Sequence, residues 1–582
     1  MAIRLAVGPQ TLNLVAQVRI LDRQPESAPS SSGLGHHPLK VAARVQIPLG
    51  MPPFSPLSVK PSSVSHHGFV CNGPIRSISS TLRSHEMNSW QPHLPDATEL
   101  SQVDLLAGGT LPSVWVSQWR RSPDKNVIHD PKQGWVNGET LLDHSETVAR
   151  RLAQAGVLPG ERVLLSASSS LELVVAHIAA LRLGAVVIPT NGAYRAEEVA
   201  HVVSDARPKV AIVEQPEWRE WIRATDPNVI LANPSVELDD GPSLSLDGAE
   251  TDSPALIGYT SGTTGRPKGA VLTHGNLLSS VRGLEIAWRW TSSDTLILAL
   301  PLFHMHGLGV GLHGSLTVGA RAVLLPEFDA DQVLDSIKKF QATMFFGVPT
   351  MYGRLLNSEK VGQLGDLRLC VSGSAPLSAE VHRKIYDAAG QHILERYGMT
   401  ETAMLVSNPY VGERRPNSVG FPLPGVEVRI EGNPPEIQVK GPNVFKGYWE
   451  RPEENVEAFH DGWFRTGDLG AIDSDGYLAI TGRAKELIIS GGFNVYPKEV
   501  EDVIMEHEAV RECAVVGVPD DDWGEAVLAF VVATRDIDTA ELRNFVGDRL
   551  AHYKRPQHAH RVDSLPRNAL GKVQKHRLID SL

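Results

Sequence analysis

Cysteine is scarce in this chain of 582 residues, which contains only Cys71, Cys370 and Cys513. The three thiols lie far apart and show none of the spacings of a zinc or iron–sulfur site. Three cysteines without a pattern also make no disulfide framework. We therefore expect reduced, incidental thiols rather than a metal-ligated or disulfide-bonded core.

Long hydrophobic runs and an excess of positive charge are also missing. No stretch approaches the ~18 uninterrupted apolar residues of a membrane-spanning helix, so no membrane span is predicted. The net charge of −12 argues against a nucleic-acid-binding protein. An apolar content of 42% is typical of a soluble globular protein, and 582 residues are too many for a single core.

Acidic residues are rare in the first 85 positions, where Asp22 and Glu26 stand against eight Lys and Arg. The segment is also rich in Ser and Pro. Such a basic, serine-rich and acid-poor segment is typical of an organelle transit peptide, and we expect a mitochondrial address. A plastid address, an untargeted tail and a shorter cytosolic form that starts near Met87 are the alternatives.

Strands and helices alternate from about Leu111 onward. Hydrophobic periodicity predicts helices over 141–155 and 171–183, and buried strands over 162–166, 185–189, 209–213 and 295–300. This alternation favours mostly parallel sheets covered by helices. The last hundred or so residues have their own pattern, with helices predicted over 497–506 and 539–550 and strands over 510–518 and 526–533, and they predict a small α+β domain. We divide the chain into an extension (1–86), a large domain (87–484) and a C-terminal domain (485–582).

The run from Tyr259 to Gly269 is the most informative part of the chain. Its glycines allow close approach of backbone N–H groups, its hydroxyls donate hydrogen bonds, and its cations offset charge, so it predicts a polyphosphate-binding loop. The residues proposed to bind are Thr260, Ser261, Gly262, Thr263, Thr264, Gly265 and Lys268. Because Gly269 follows Lys268, this is not a Walker A loop. A Gly/Thr-rich surface turn is the alternative.

The run resembles the phosphate loop of the acyl-adenylate-forming superfamily, which includes acyl-CoA synthetases, luciferases and peptide-synthetase adenylation domains. A second run, 395–402, resembles the adenine and magnesium motif of that superfamily. The resemblance implies a large α/β domain of layered sheets and helices with a small mobile C-terminal α+β domain. It also implies ATP and CoA as co-substrates and Mg²⁺ as the metal.

The same resemblance implies roles at the nucleotide. Tyr397 would stack on adenine, and Thr400 would contact phosphate. Glu401 and Thr260 would lie at the Mg²⁺, since a hard cation prefers carboxylate and phosphate oxygens. The other residues implied here are Gly373, Ser374, Ala375, Glu395, Arg396, Gly398, Asp468 and Arg483, the last two at the ribose.

The C-terminal part carries the remaining reaction motifs. By resemblance, Lys572 would bridge the acid carboxylate and the α-phosphate during adenylation, together with Thr260 and Glu401 as the catalytic set. The domain would swing about a hinge at Lys485 to use one face for each half-reaction. The loop implied to admit the CoA arm consists of Ser490, Gly491, Gly492 and Phe493.

Arg354 is the residue that bears on the acid. It follows the Val-Pro-Thr turn on a predicted helix, and a buried guanidinium is costly unless it is paired, so a second substrate carboxylate would suit it. An arginine on an exposed helix face is the alternative. From Leu256 onward the chain resembles malonyl-CoA synthetases, in which the residues matching Arg354 and Ser374 hold the distal carboxylate. His304 and His306 would line this pocket or be ordinary core histidines.

The resemblance therefore implies ATP-dependent ligation of malonate, with methylmalonate as a further substrate, to CoA. A ligase for acetate, oxalate or a medium-chain acid is the main alternative. An enzyme that loads a carrier protein and a non-catalytic relative are further alternatives. The small-molecule partners expected are malonate, ATP and CoA, and the sequence does not indicate an oligomeric state.

Overall fold

The computed structural model describes residues 85–87, 90–95, 103–260, 267–491, 493–520, 523–568 and 571–582. The predicted transit peptide therefore lies outside the described residues, apart from its last two positions, His85 and Glu86. No helix in the described ranges is long and apolar enough to cross a bilayer.

The strands of the described chain are numbered in sequence order. They are β1 (His85–Met87), β2 (Asn126–Asp130), β3 (Gly134–Asn137), β4 (Arg162–Ser166), β5 (Val186–Pro189), β6 (Val210–Val213), β7 (Ile230–Ala232), β8 (Pro254–Thr260), β9 (Lys268–Thr273), β10 (Thr295–Leu298), β11 (Arg321–Leu324), β12 (Met344–Gly347), β13 (Leu369–Ser372), β14 (Leu394–Tyr397), β15 (Val406–Ser407), β16 (Phe421–Pro422), β17 (Glu427–Glu431), β18 (Glu436–Lys440), β19 (Gly447–Tyr448), β20 (Phe459–His460), β21 (Trp463–Ile472), β22 (Leu478–Arg483), β23 (Ile488–Ser490), β24 (Phe493–Val495), β25 (Val510–Asp520), β26 (Gly524–Ala533) and β27 (His558–Arg561).

The α-helices are numbered in the same way. They are α1 (Leu111–Arg121), α2 (Gly138–Gln154), α3 (Leu171–Arg182), α4 (Ala196–Ala206), α5 (Pro216–Thr225), α6 (His274–Ala287), α7 (His313–Val318), α8 (Ala330–Phe340), α9 (Pro349–Leu355), α10 (Ala379–Ala389), α11 (Pro452–Ala458), α12 (Pro497–Met505), α13 (Thr539–Gly547) and α14 (Lys575–Ile579).

Two large sheets form the body of the molecule. One has the order β19-β9-β8-β5-β4-β6-β7 and the other β16-β15-β14-β13-β12-β10-β11-β2-β3. Their central pairs are parallel, as predicted, while β8 and β9 form an antiparallel hairpin with Thr260 opposite Lys268. The carboxyl ends of β12, β13 and β14 lie side by side, which is where open α/β sheets place ligands.

A third sheet departs from the prediction of mostly parallel sheets. Its order is β1-β17-β18-β21-β20, with β22 paired to β21, and all of its pairs are antiparallel. In the long strand β21, Arg465, Thr466 and Asp468 interrupt the apolar residues, so it lacks the continuous apolar run that indicates a parallel sheet. This sheet contains the predicted ribose residues, Asp468 on β21 and Arg483 on β22.

The C-terminal part forms its own sheet of β24-β23-β26-β25, with β27 beside β26. The predicted helix over 497–506 and strands over 510–518 and 526–533 correspond to α12, β25 and β26. One buried cluster, which includes Val515, Val527 and Leu542, forms a core within this part. A short helix that sequence reasoning missed, α14, follows the predicted final helix α13.

The core of the large domain contains a cluster of buried histidines. His177 Nε2 and His313 Nε2 lie 2.8 Å apart, so one ring donates to the other. His274 lies close enough to affect both rings, and neither of its ring nitrogens has a hydrogen-bond partner. Burial lowers the pKa of His177 to about 3 and that of His274 to about 4, so the folded protein holds both rings neutral.

We expect this cluster to make the fold sensitive to acid. A histidine with a lowered folded-state pKa contributes its full stability above the unfolded pKa of ~6.5 and loses it as the pH falls toward the folded value. Replacing His274 by Leu should therefore reduce the loss of unfolding free energy between pH 7.5 and pH 5 by about 2 kcal/mol. Urea unfolding at both pH values measures this difference. Replacement of the exposed His144 by Leu is the control, and an equal effect of both variants would contradict the assignment.

Candidate active site

The predicted ribose residues meet at the junction of two sheets. Asp468 on β21 lies opposite Arg483 on β22, and Arg483 Nε is 2.9 Å from Asp468 Oδ1. The Tyr397 hydroxyl, at the end of β14, donates to Asp468 Oδ2 over 2.6 Å. Burial raises the pKa of Tyr397 well above its usual value, which keeps this hydroxyl a donor. The structure thus brings together three residues separated in sequence by up to 86 positions.

Lys572 reaches the same place from the C-terminal domain. The isolated bridge between Arg567 and Val573 closes a hairpin, in which the Lys572 N–H donates to Asn568 Oδ1 over 3.0 Å. The ammonium group keeps solvent contact, yet surrounding protein atoms and the nearby Arg483 lower its pKa, while Glu486 and Asp468 act in the opposite direction. Lys572 therefore lies near the predicted ribose residues Asp468 and Arg483.

Gly571 is where this hairpin touches the large domain. Its φ of +77° lies in the left-handed region, and a Cβ atom there would come within 3.2 Å of Thr350 Oγ1 on α9. Both the backbone conformation and the close contact favour glycine at the position preceding Lys572.

The phosphate motif is described only at its two flanks. Thr260 ends β8 and Lys268 begins β9, and the Thr260 hydroxyl donates to the Lys268 carbonyl over 3.4 Å. Lys268 Nζ lies 3.8 Å from Glu454 and 5.5 Å from the centre of the Tyr448 ring. The other predicted phosphate ligands, Ser261, Gly262, Thr263, Thr264 and Gly265, lie outside the described residues.

The second motif packs against the first. A Cβ on Gly258 would lie 2.4 Å from Thr400 Cγ2, so Thr400 sits directly on the strand that precedes the phosphate loop. Glu401, which is 5% exposed, accepts a hydrogen bond of 3.0 Å from the Tyr448 hydroxyl. Burial raises the pKa of Glu401, which means that its charge lacks full compensation from the protein.

This arrangement fits a cation that Glu401 shares with substrate. The described residues contain no group of three or more His, Cys, Asp or Glu side chains that could hold a metal ion by themselves. A buried carboxylate whose charge the protein does not fully compensate is suited to Mg²⁺ that takes its other ligands from phosphate and water. Glu401 and Thr260 remain the residues that would hold it.

A buried cation, Arg396, directly precedes Tyr397 on β14. Arg396 on β14 is 5% exposed, and its Nε and Nη2 atoms have no hydrogen-bond partner. Its guanidinium lies against Gly373, where a Cβ would come within 2.3 Å of Arg396 Cζ. Burial lowers the pKa of Arg396 to about 9. Ser374, next to this contact, has a φ of +71°, a strained conformation of the kind found at functional sites.

His304 and His306 lie close to Arg396. Burial, followed by the charge of Arg396, lowers the pKa of His304 to about 4 and that of His306 well below its usual value. His306 begins a π-helical segment, His306–Leu312, and neither of its ring nitrogens has a hydrogen-bond partner. The two neutral rings can therefore donate to an acid group without adding charge.

Three predicted residues occupy the edge of this region. Glu395 is buried, accepts from the Leu377 N–H over 3.1 Å, and has a pKa raised to about 7 by burial. Gly398 lies so close to the chain that a Cβ would be 2.1 Å from the Ala403 carbonyl oxygen. Ala375 is half-buried on the turn that follows β13.

Arg354 is not buried, contrary to the premise on which the sequence argument rested. It lies on the last turn of α9, where Tyr352 and Leu355 face the core and the Arg354 side chain faces solvent. Its guanidinium makes no ion pair with a described residue. A buried guanidinium with two nitrogens that lack acceptors is instead found at Arg396, which the resemblance had implied at the nucleotide.

The predicted CoA loop lies on the C-terminal sheet. Ser490 and Phe493 pair across the turn between β23 and β24, and the Gly491 N–H donates to the Trp523 carbonyl over 2.8 Å. Phe493 is 56% exposed and stacks on Tyr553 at 4.6 Å. Gly492 lies outside the described residues. The hinge candidate Lys485 lies in the short 3₁₀ turn Ala484–Glu486 that joins β22 to this domain.

Sequence reasoning missed three residues that contact the predicted site residues or the flanks of the phosphate loop. They are Tyr448, which contacts both Glu401 and Lys268, and the α4 residues His201 and Asp205, which contact the flanks of the phosphate loop. None belongs to a motif with its own chemistry.

Comparisons with known proteins agree with this geometry. The AMP-binding enzyme family matches residues 115–449, and the AMP-binding enzyme C-terminal domain matches residues 499–572. A feruloyl-CoA synthase of Amycolatopsis sp. is 36% identical over 487 residues, which are 79% of this chain and 96% of that protein. A malonate–CoA ligase of Arabidopsis thaliana is 37% identical over 479 residues, which are 73% of this chain and 79% of that protein.

Among solved structures, ATP-bound MatB from Rhodopseudomonas palustris superimposes with a TM-score of 0.76 and 39% identity. The match covers 81% of this chain and 99% of MatB. A feruloyl-CoA synthase and a malonate–CoA ligase are almost equally similar to this chain. Sequence identity alone therefore does not show which acid this chain uses.

We expect replacement of Gly571 by Ala to impair adenylation specifically. Strain at a positive φ costs about 1–3 kcal/mol, so displacement of the hairpin should slow acid-dependent pyrophosphate release by roughly tenfold or more. Gly353→Ala is the matched control, because Gly353 lies on the same helix as Thr350 and a Cβ there meets nothing within 4 Å. Equal rates for the two variants would show that the Gly571 contact does not position Lys572.

Proposed function

The chain belongs to the AMP-binding enzyme family, within the acyl-adenylate-forming superfamily, and we propose that it ligates malonate to CoA. It is an AMP-forming acyl-CoA ligase. The acid carboxylate attacks the α-phosphate of ATP and pyrophosphate leaves, which gives an acyl-adenylate. The CoA thiolate then attacks the acyl carbon and AMP leaves. The proposal concerns the identity of the acid.

The residues around Asp468 are proposed to carry the first step. Arg483 and Asp468 would orient the ribose, and Lys572 would lie between the acid carboxylate and the α-phosphate. Phosphoryl transfer depends mainly on positioning and on charge neutralisation. Mg²⁺ bound at Glu401 would offset the negative charge of the polyphosphate.

The main support for malonate as the acid is the buried guanidinium of Arg396, in which two nitrogens have no acceptor among the described residues. Burying a charge without a partner is costly, and the described protein offers Arg396 Nε and Nη2 no acceptor. A carboxylate matches the planar fork of a guanidinium and supplies the missing acceptors. An acid with two carboxylates could place one at Lys572 and the other at Arg396.

The buried aromatic side chains next to His306 support a short acid. The ring of His306 stacks on Phe346 at 6.3 Å, and Phe346 packs edge-on against Trp288 at 5.2 Å and Trp290 at 5.4 Å. These aromatic side chains are buried core and fill the space behind His306. A long alkyl chain would have to displace them, whereas malonate and methylmalonate would not, and one methyl group changes pocket energy by only about 1–3 kcal/mol.

Replacement of Arg396 by Leu should separate malonate from monocarboxylates. Loss of a buried charge partner costs about 2–5 kcal/mol, so kcat/KM for malonate should fall by roughly 100-fold or more, while that for acetate should not fall. Removal of an uncompensated buried charge should leave the melting temperature of the unliganded protein unchanged or raise it. Malonate should raise the melting temperature of the native protein but not that of the variant.

Arg354→Ala is the matched control for this experiment. Because Arg354 is exposed, we expect less than about a fivefold loss with malonate. A large loss in Arg354→Ala with none in Arg396→Leu would instead place the clamp on α9, as the resemblance to malonyl-CoA synthetases implies. A native preference for acetate, oxalate or octanoate over malonate would contradict the malonate proposal and leave the ligase chemistry intact.

We also propose that the extension, residues 1–86, directs the protein to mitochondria. The support is compositional, from the basic and acid-poor character of the first 85 positions. A fluorescent reporter fused to residues 1–90 should accumulate in mitochondria. A diffuse cytosolic signal or a plastid signal would contradict the proposed address.

A further inference from the structure

Helix α4 presents two polar side chains on one side. His201 and Asp205 are four residues apart, which places them one above the other on the helix surface. The apolar side chains Val199, Val202 and Val203 are buried and fix the helix in the core. The His201–Asp205 side of α4 therefore has a defined position relative to the sheet that contains β8 and β9.

His201 contacts one flank of the phosphate loop. Its Nε2 lies 2.7 Å from the carbonyl oxygen of Pro267, the residue immediately before β9. Since a carbonyl can only accept, Nε2–H is the donor. The His201 ring also meets the Tyr259 ring edge-on, with ring centres 6.1 Å apart.

Asp205 contacts the other flank. Its Oδ2 accepts a 2.7 Å hydrogen bond from the hydroxyl of Tyr259, the penultimate residue of β8. Burial, reinforced by Asp205, raises the pKa of Tyr259 far above its usual value, so the hydroxyl stays a donor. Asp205 Oδ1 forms an ion pair with Arg451, and this second contact holds the carboxylate in place.

We propose that His201 and Asp205 are positioning residues that hold the two ends of the phosphate loop, Pro267 and Tyr259, and thereby set the affinity for the β- and γ-phosphates of ATP. One rigid helix contacts both flanks and adds to the β8–β9 pairing, in which Thr260 lies opposite Lys268, so the flanks are also held from outside the hairpin. Preorganised donors lose less entropy when they bind an anion. The proposal concerns nucleotide binding by the ligase and does not depend on the identity of the acid.

The test compares ATP with AMP, which lacks the two phosphates at issue. In the full chain, Tyr259→Phe and His201→Ala should each weaken binding of MgATP about fivefold, the effect of one lost hydrogen bond, while AMP binding should change less than about twofold. The KM for ATP should rise by a similar factor, with the KM for the acid unchanged. His201→Gln, which keeps an amide donor, should recover part of the loss. Isothermal titration calorimetry measures both nucleotides without turnover.

Arg207→Ala is the matched control. Arg207 caps the same helix and pairs with Glu450, next to Arg451, but it contacts neither flank of the loop. This variant should leave the ratio of ATP to AMP affinity unchanged. The proposal would be overturned if Tyr259→Phe and His201→Ala weakened AMP and ATP equally, if they changed neither, or if Arg207→Ala shifted the ratio as much as they do.

Discussion

The geometry of the site depends on the hydrogen bond and the ion pair that the carboxylate of Asp468 forms. One oxygen accepts from Tyr397 at the end of a parallel sheet, and the other pairs with Arg483 on the antiparallel sheet. Lys572, carried by the C-terminal domain, approaches the same group. Because a buried carboxylate must be paired, these contacts force two sheets and a separate domain to converge at one point. The position of the nucleotide site follows from that convergence.

Around this paired charge lie buried charged groups that are not fully paired. Arg396 has two nitrogen atoms without acceptors among the described residues, and burial raises the pKa of Glu401 despite the hydrogen bond from Tyr448. An ordinary core would not tolerate such groups, since each costs stability when left uncompensated. Their pattern follows the substrates of an acyl-CoA ligase, with a negative group where a cation belongs and a positive group where the proposed second carboxylate would lie. The incompletely paired charges of Glu401 and Arg396 thus support the proposed sites for a cation and for a second carboxylate.

Much of this could be predicted from the sequence because the motifs combine several unusual residue types in a fixed order. The predicted strands over 162–166 and 209–213 correspond to β4 and β6, and Asp468, Arg483 and Lys572, which the resemblance implied for one reaction, lie near one another. The antiparallel third sheet was not predicted, because half-buried polar strands such as β21 lack a continuous apolar run. Arg354 is exposed rather than buried as the sequence argument assumed, and the burial of Arg396 was not predicted, since burial of an arginine depends on tertiary packing that a single sequence does not encode. His201 and Asp205 escaped notice for the same reason, because their contacts span about 54 to 66 positions along the chain.

Strand β1 has a consequence for maturation of the polypeptide. His85–Met87 pairs along β17, with His85 opposite Ile430 and Met87 opposite Val428. A protease that cut beyond His85, or a translation start at Met87, would remove part of this strand and uncover the outer edge of β17. Exposed strand edges recruit other chains, so such a product would be prone to aggregate. The fold therefore sets a limit on processing, and a mature chain that keeps this edge covered must begin at or before His85.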